Sequence, residues 1–404
     1  MVFAVALSGL NASSDDLAVT ANNVANVNTN GFKRSRTEFA EVFATGVQSV
    51  QQSGAGVKVA DISQQFSQGN IDFTDSALDL AIAGEGFFVL SQNGARNYSR
   101  AGSFSLDREG FVVTSSGARL QSYPSAGNGL FNTGTPQDLQ LITGASAPQA
   151  TNSAQLGINL PANAPVPVNP VFDPLDASSF NHTASFTAYD SLGTALTATV
   201  YFIKDAAPNT WNTEVQIDGT PVGAAAPQIS FNPDGTLNTP LGGLLPLNAF
   251  PVTTGADPLN ITLDFSVSTQ FGNAFGVNSL SQDGFTTGRL TGLSVSDEGV
   301  VFARFTNGQS TELGKLAMAN FTNTQGLQQV GDTNWAESFQ SGDALLGEAG
   351  TASFGNIQSG ALESSNVDLT AELVNMITAQ RNFQANAQMI STSDAVTQTI
   401  INIR

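Results

Sequence analysis

Apolar residues recur with helical spacing at the two ends of this 404-residue chain and with strand spacing between them. Near the amino terminus, alternating steps of four and three residues connect Phe3, Leu7, Leu10, Ser14, Leu17, Ala21 and Val24. Near the carboxyl terminus, a similar stripe contains Leu362, Leu369, Leu373, Met376, Phe383 and Ile390, and a neighbouring face carries Met389, Val396 and Ile403. This spacing places each set on one face of a helix. The sequence therefore predicts terminal helices that pair as coiled-coil-like assembly elements.

Between the ends, apolar and polar residues alternate as they do in half-buried strands. This alternation connects Trp211, Thr213, Val215 and Ile217, and likewise Ile261, Leu263, Phe265 and Val267. Residues 183–203 predict two strands around a turn at 190–193. The segments beginning at residues 102 and 292 each predict a strand, an acidic-glycine turn and a second strand. The predicted fold class is mainly β with α-helical termini.

An acidic stretch divides this β region. From Leu120 to Gly288 there is one basic residue, Lys204, against eleven acidic residues, and prolines cluster between residues 148 and 174. Clustered prolines are typical of linkers. We therefore expect a discontinuous β domain, residues 71–146 and 285–360, interrupted by an inserted β-barrel or sandwich domain at residues 147–284. The terminal helices are assigned to residues 1–32 and 361–404, and a connecting segment to residues 33–70.

Charge and composition exclude several classes of function. The chain has 33 acidic and 14 basic residues, a net charge of −19, which disfavours nucleic acid and anionic lipid as partners. It has no cysteine, which excludes disulfides and cysteine metal sites. No stretch approaches the roughly 20 apolar residues that span a bilayer. The apolar run at residues 2–7 is too short for the core of a secretory signal, so we expect no cleaved signal peptide.

No constellation of residues indicates catalysis, a cofactor or a metal. His182 is the only histidine, and it lies at a predicted strand start without a paired nucleophile motif. The sequence GEGFFV at residue 84 lacks the third glycine of a dinucleotide-binding loop. The sequence NPDGTLN at residue 232 lacks the glutamate that completes a calcium loop, and a hairpin turn explains Asp234 and Gly235. We expect a protein that is not an enzyme and that binds no cofactor or metal.

The segment ANNVANVNTNGFKRSR, residues 21–36, combines amides with a basic cluster. A helix ending near Asn28 would use Gly31 in its C-cap, and the cations would lie beside the negative end of the helix dipole. That interpretation leaves Asn22, Asn23 and Asn26 unexplained, because asparagine is a poor helix former. Amides bonded by neighbouring chains would explain them. The segment therefore predicts self-assembly.

Several blocks of the chain resemble one family. The blocks are ALSGLNASSDDLAVTANNVANVNTNGFKRSR, LDLAIAGEGFFVL, YSRAGSFSLDREGFVVTSSGARLQ and SGALESSNVDLTAELVNMITAQRNFQANAQMISTSDAVTQT. They look like the bacterial flagellar rod and hook proteins, and they cover both ends and the first β domain. Rod proteins of this family resemble the chain without residues 147–284. The insertion and the short segment from Phe39 to Gln68 make the chain similar to the hook branch.

The resemblance implies a structural subunit that self-assembles into a flexible curved tube. In that tube the terminal helices form an inner layer around an export channel, the first β domain a middle layer and the inserted domain an outer layer. The tube would act as a universal joint that transmits motor torque from rod to filament. The assembly interface would contain Leu7, Leu10, Leu17, Asn22, Asn23, Val24, Asn26, Asn28, Gly31, Phe32, Leu369, Leu373, Met376, Phe383 and Ile390. The basic cluster would contact acidic neighbours.

The resemblance also implies partners and a location. Beyond further copies of the chain, the partners would be the distal rod protein, the hook cap protein, the hook-filament junction protein and the flagellar export apparatus. The chain would lie in the extracellular flagellum, exported without a cleaved signal. Two alternatives are a rod protein of the same family with an unusual insertion, and a secreted β-rich adhesin that binds its ligand through the acidic domain. An adhesin without its termini would keep its ligand, whereas a hook subunit would lose polymerisation.

Overall fold

The computed structural model describes residues 2–402 apart from 43–53, 128, 142–143, 225–226 and 352. The chain forms two compact units. The first, called here the helix-bearing unit, contains residues 1–143, 292–304 and 310–404. The second, called the inserted unit, contains residues 144–291 and 305–309. The mainly β fold with helical termini, predicted from the two periodicities, is confirmed.

Two long helices belong to the helix-bearing unit: α1 spans Val2–Ala25 and α2 spans Leu369–Asn402. α2 begins after Asp368, whose Oδ1 accepts the backbone N–H groups of Thr370 and Ala371 at 2.9 and 3.1 Å. This carboxylate satisfies donors that have no partner within the helix and complements its dipole. Two short 3-10 helices, Leu241–Gly243 and Thr324–Gly326, also occur in the described residues.

The first half of the chain contributes strands β1 to β15. Their bounds are β1 Ser35–Glu41, β2 Val57–Gln64, β3 Ile71–Phe73, β4 Leu80–Ala83, β5 Phe87–Gln92, β6 Ala95–Ser99, β7 Phe104–Leu106, β8 Val112–Thr114, β9 Arg119–Gly127, β10 Leu130–Phe131, β11 Gln137–Asp138, β12 Ser153–Asn159, β13 His182–Tyr189, β14 Ala195–Lys204 and β15 Thr210–Ile217.

The second half contributes strands β16 to β29. Their bounds are β16 Thr220–Val222, β17 Gln228–Phe231, β18 Leu237–Thr239, β19 Leu244–Pro246, β20 Thr262–Asp264, β21 Gly276–Gln282, β22 Leu290–Val295, β23 Val300–Phe305, β24 Ser310–Asn320, β25 Gln328–Gly331, β26 Asn334–Ala336, β27 Leu345–Glu348, β28 Asn356–Ser359 and β29 Ala361–Glu363.

The main sheet of the helix-bearing unit has the order β22-β23-β24-β9-β5-β6-β26-β25. Strands from before and after the inserted unit are therefore neighbours, as in the pairing of β24 with β9. An aromatic cluster fills the core on this sheet: Phe87 lies 5.7 Å from Trp335 and 5.9 Å from Phe321, and Tyr98 lies 4.8 Å from Phe321 between ring centroids. Edge-on aromatic contacts of this kind add to the stabilisation from burial.

Three smaller pairs connect the β core to the helices. β1 and β2 form an antiparallel hairpin with an irregularity after Glu38. β4 pairs with β28, and β3 pairs with β29. Because β29 ends only a few residues before α2, this last pair sets where α2 leaves the β core. Leu362, predicted to belong to the carboxyl-terminal helical stripe, lies in β29, so that part of the prediction is wrong.

The inserted unit contains two sheets, with the orders β19-β20-β12-β21 and β13-β14-β15-β17-β18. Their inner faces share one core, in which Ile158, Phe202, Trp211 and Phe265 are each fully buried. The predicted alternation on β15 is confirmed, since Trp211 is buried together with Thr213, Val215 and Ile217. β20 is shorter than its pattern predicted, and Val267 is 52% exposed.

The turn predictions agree with the structure in three places. β13 and β14 are joined through Gly193, which has a positive φ of 82°. The predicted strand pairs after residues 102 and 292 are β7 with β8 and β22 with β23, which turn at Gly110 and Gly299 with φ values of 85° and 78°. A glycine is needed at such positions because a side chain disfavours the left-handed region.

Candidate assembly interface

The two terminal helices contact each other through small and polar side chains. Ala6 and Ala12 on α1 and Ala379 on α2 are at most 5% exposed. A Cβ on Gly9 would lie 2.7 Å from the side-chain oxygen of Asn386, so the helix surfaces meet closely there. The helices run antiparallel, because the start of α1 meets the middle of α2 and the end of α1 meets its beginning. Because small residues form this contact, large apolar side chains of both helices remain available for other contacts.

The large apolar side chains of the predicted stripes lie mainly outside this helix contact. Leu7, Leu369 and Leu373 are 41%, 43% and 44% exposed. Phe3, Met389 and Val396 of the predicted stripes are exposed as well. Six predicted positions are half-buried: Leu10, Leu17, Val24, Met376, Phe383 and Ile390. Further exposed apolar residues on the helices are Val5, Val374, Ile377 and Ile401. An apolar surface of this extent is typical of an interaction site.

Inside the subunit, therefore, the contact between α1 and α2 covers the stripes only in part. The predicted stripe positions and the buried positions lie one or two residues apart, as Leu7 and Ala6 do. A simple intramolecular coiled coil would bury the leucines of both stripes. In the subunit, Leu7, Leu369 and Leu373 stay exposed and Leu10 and Leu17 are half-buried. Ile403 of the predicted stripe lies outside the described residues.

The asparagine segment differs from its prediction at the end of the helix. α1 ends at Ala25, three residues before the expected position. The backbone N–H of Asn26 donates to the carbonyl oxygens of Asn22 and Asn23 at 3.2 and 3.1 Å, and its side-chain Nδ2 donates to Asn22 O at 3.0 Å. Asparagine side chains compete for backbone carbonyls in this way and favour turns over helix. Residues 26–31 accordingly form turns.

Asn23 bonds its own chain. Its Nδ2 donates to Ser35 O at 2.8 Å, and its Oδ1 accepts the Ser35 N–H at 2.9 Å. The Asn23 side chain is 2% exposed. One amide thus attaches the end of α1 to the start of β1. This corrects the expected intersubunit role of Asn23, whereas Asn22 and Asn28 are exposed.

Gly31 also has partners in its own chain. Its φ is +70°, and its N–H donates to the carbonyl oxygen of Glu363 at 2.7 Å. A Cβ here would lie 2.4 Å from the backbone nitrogen of Ala101. Only glycine permits this close approach of three backbone segments. Gly31 therefore fixes the end of the turn at residues 26–31, called here the asparagine turn. The half-buried Phe32 follows it.

A buried ion cluster lies beside Gly31 and consists of Lys33, Arg100 and Glu363. Lys33 Nζ lies 2.6 Å from Glu363 Oε1, and Arg100 Nη1 lies 3.3 Å from Glu363 Oε2. Lys33 Nζ also donates to Ser67 O at 2.8 Å, and the Gly69 N–H donates to Glu363 Oε1 at 2.9 Å. The cluster joins the exit of α1, the end of the β1–β2 hairpin, the main sheet and the entry to α2.

Burial governs the electrostatics of this cluster. The side chains of Lys33 and Glu363 are fully inaccessible, and that of Arg100 is 5% exposed. Burial lowers the pKa of Lys33 and of Arg100, and attraction to Glu363 opposes both shifts. A buried cation without its counter-ion is strongly destabilising. Glu363 is therefore the group on which two buried cations depend.

The rest of the basic cluster is also paired within the chain. Arg34 Nη1 lies 3.8 Å from Glu372 Oε1, and Arg36 Nη2 lies 2.9 Å from Glu38 Oε1. Lys33 is buried and uses its charge inside the chain, whereas contacts of Arg34 and Arg36 with acidic groups of other copies stay a prediction. Compact folding brings residues more than three hundred positions apart into contact, which a local motif cannot indicate.

Asn366 is a linking residue that the sequence analysis did not identify. Its Oδ1 accepts the Arg34 N–H at 2.8 Å, and its Nδ2 donates to Gln65 O at 2.7 Å. It therefore connects the two ends of the β1–β2 hairpin to the segment that leads into α2. Its position two residues before the N-cap Asp368 is the one local signal that could have indicated it.

The other candidate sites have ordinary structural roles. His182 begins β13 and stacks on Phe275 with ring centroids 4.4 Å apart, and burial lowers its pKa. Asp234 and Gly235 form the predicted hairpin turn, in which Asp234 Oδ1 accepts the Thr236 N–H at 2.9 Å. Within the described ranges, no three His, Cys, Asp or Glu side chains come together as a metal site. No described helix is long and apolar enough to cross a bilayer.

Known proteins similar to this chain share its full length. The chain is 39% identical over 411 residues to the flagellar hook protein FlgE of Escherichia coli strain K12, with 100% of both chains covered. It is 38% identical to the same-named protein of Salmonella typhimurium, again with both chains fully covered. The chain belongs to the flagellar hook protein family. A more distant family member, from Borreliella burgdorferi, is 31% identical over 98% of each chain.

Models of the segments of hook-family proteins match in chain order. Residues 3–33 match the flagella basal body rod protein model, and residues 81–166 match the flagellar hook protein FlgE/F/G D1 domain. Residues 159–285 match the flagellar basal body protein FlaE D2 domain, and residues 358–403 match the flagellar basal body rod FlgEFG protein C-terminal model. The quoted terminal blocks therefore lie where hook-family proteins carry theirs.

A solved structure of a hook-family protein has the same fold. The crystal structure of Helicobacter pylori flagellar hook protein FlgE2 aligns with a TM-score of 0.54 and 15% sequence identity. The alignment covers 72% of this chain and 100% of that chain. At this identity the likeness concerns the fold.

Proposed function

We propose that this chain is a structural subunit of the flagellar hook that polymerises by burying the apolar faces of its terminal helices against other copies. One observation carries the proposal: α1 and α2 are regular helices, yet Leu7, Leu369 and Leu373 remain exposed while small residues such as Ala6, Ala12 and Ala379 are buried. Full burial of a leucine side chain contributes about 1.5–3 kcal/mol, so burying the exposed two fifths of one of these leucines contributes about 0.6–1.3 kcal/mol. A stripe repeated along two helices supplies enough free energy to hold a polymer of many copies.

The predicted interface residues then divide into two groups. The apolar positions, with Leu7, Leu369 and Leu373 the most exposed, supply contacts between copies. Asn23 and Gly31 instead fix the connection between the helices and the β core of their own subunit. The buried ion cluster has the same role, because it lies where both helices meet the β core. Contacts between copies therefore act on helices whose direction is set inside each subunit.

The inserted unit has the chemistry of an outer layer. It contains ten acidic and two basic residues, so copies of it repel one another. Water replaces a lost surface hydrogen bond at small net cost, so a solvated outer surface lets neighbouring copies slide. A closed inner tube of apolar helices with a sliding outer layer would bend while it transmits torque. This is the physical requirement of a universal joint.

Residues 1–32 and 361–404 would form the inner tube around an export channel, with residues 33–70 as the connecting segment. Residues 71–146 and 285–360 would form the middle layer, and residues 147–284 the outer layer. The specific partners remain those of the family: the distal rod protein, the hook cap protein, the hook-filament junction protein and the export apparatus. Export would proceed without a cleaved signal. The structural role requires no catalytic group.

Polymerisation of the purified full-length chain tests the proposed function. Electron microscopy over a series of protein and ammonium sulfate concentrations should detect tubes or curved rods. Sulfate strengthens apolar association, so the polymer should form at lower protein concentration as the salt concentration rises. A chain that stays monomeric over the whole series, with its helices protected from protease, would contradict the proposal.

A further inference from the structure

A polar cleft of about 570 Å³ lies between the asparagine turn and the β core of the helix-bearing unit. Six of its lining side chains are amides: Asn22, Asn26, Asn30, Gln64, Gln329 and Asn334. Each amide carries both donors and an acceptor. Hydroxyl side chains, including Ser115, line much of the remainder. The cleft therefore offers dense hydrogen bonding, and its charged lining residues are Lys33 and Asp332.

Asn334 is the strongest indication of a ligand. It is only 5% exposed and lines the cleft. Its side-chain amide forms no hydrogen bond to another described residue and is not among the fully buried polar atoms without a partner, so in the single chain it keeps contact with solvent. Its two donors and its acceptor are therefore open to a group from outside the chain.

A free sheet edge borders the same cleft. Gln329 and Gly331 line it and belong to β25, the terminal strand of the main sheet. All four residues of β25 are exposed. An edge strand presents unpaired N–H and C=O groups to an incoming extended segment. The backbone groups of β25 and the amide side chains of the cleft therefore offer hydrogen bonds to the same kind of ligand.

That chemistry is a polypeptide backbone. Backbone N–H and C=O groups alternate donors and acceptors, as amide side chains do. Trp335 is 2% exposed and its Nε1–H donates to Gln64 Oε1 at 2.7 Å, so its ring face is closed to a sugar or a base. Lys33 is paired with Glu363 and does not recognise an anion.

We propose that this cleft binds an extended segment of a second copy of this chain, with the Asn334 amide bonding its backbone. The inference rests on the proposed function, which supplies neighbouring copies. It identifies a further contact, because the cleft begins at Asn22 and Asn26, where α1 and its exposed stripe end. The contact is polar, so it complements the apolar helix contacts and fixes the register of neighbouring copies.

Asn334→Leu tests the inference because it should weaken the polymer without destabilising the monomer. The polymer loses a hydrogen bond to its neighbour, so we expect the critical concentration to rise about tenfold, measured by sedimentation of the polymer. In the monomer, leucine removes an amide without a partner, so the thermal unfolding midpoint should stay unchanged or rise. If Asn334 had a merely structural role, its replacement by leucine would lower that midpoint.

A second variant blocks the cleft from an exposed position. Ser115→Trp should raise the critical concentration by a similar factor, whereas Ser105→Trp, equally exposed on β7 and outside the cleft, should not. If both cleft variants polymerise at the wild-type concentration, the cleft holds only solvent and the inference is overturned, while the proposed function stands. If the wild-type chain forms no polymer, both are overturned.

Discussion

Replacing both Leu369 and Leu373 by asparagine is expected to raise the critical concentration for polymerisation at least roughly tenfold while the monomer remains folded. Both side chains are more than 40% exposed in the subunit, so their replacement leaves its core intact. In a polymer the exposed part becomes buried, and losing that part for two leucines costs about 1.3–2.6 kcal/mol, a factor of about 10 to 80 in an equilibrium constant.

The measurement is the concentration of unsedimented protein at equilibrium, with circular dichroism to establish that the monomer is folded. Matched controls are Leu175→Asn and Leu241→Asn, since these leucines of the inserted unit are 94% and 96% exposed. The controls should change the critical concentration little. If the helix variant and the control variant polymerise alike, the stripe on α2 is not the contact that holds copies together.

Glu363→Gln is expected to lower the free energy of unfolding by about 3–5 kcal/mol, the range found when one partner of a buried ion pair is removed. The cost is high because both Lys33 and Arg100 depend on this carboxylate and neither reaches water. Glutamine retains the size and one acceptor oxygen, so the change removes the negative charge and one of the two acceptors that Lys33 and Arg100 use. Denaturant titration of the monomer measures it.

Glu38→Gln is the matched control for this substitution. Glu38 pairs with Arg36 at 2.9 Å, but both side chains are largely exposed, and exposed pairs are screened by solvent. The control should therefore leave the unfolding transition almost unchanged. Equal effects of the two substitutions would show that the buried cluster contributes no more than a surface pair.

Much of the architecture could be predicted because periodicity is local. The alternation that begins at Trp211 depends on neighbouring residues alone, and β15 buries those side chains as expected. The same holds for the glycine turns at Gly110 and Gly193, where the required backbone conformation selects the residue. The predicted end of α1 was wrong by three residues, because the side chain of Asn26 donates to the carbonyl oxygen of Asn22.

The connections between segments could not be predicted in this way. Lys33, Arg100 and Glu363 meet only after the chain has folded, and nothing near any of them in sequence indicates the other two. The packing of α1 on α2 through Ala6 and Ala379 could not be predicted for a different reason. The leucine stripes gave the stronger pattern, yet Leu7 and Leu373 stay exposed in the subunit, and a pattern does not tell which surface covers it.

The most direct test of the central claim is the accessibility of position 373 in the polymer. The chain has no cysteine, so Leu373→Cys creates a single thiol that a maleimide can label. We expect the labelling rate to fall at least tenfold between monomer and polymer, while that of Ser281→Cys, exposed on β21, stays nearly constant. A thiol at position 373 that reacts equally fast in monomer and polymer would show that the helix stripes are not buried between copies.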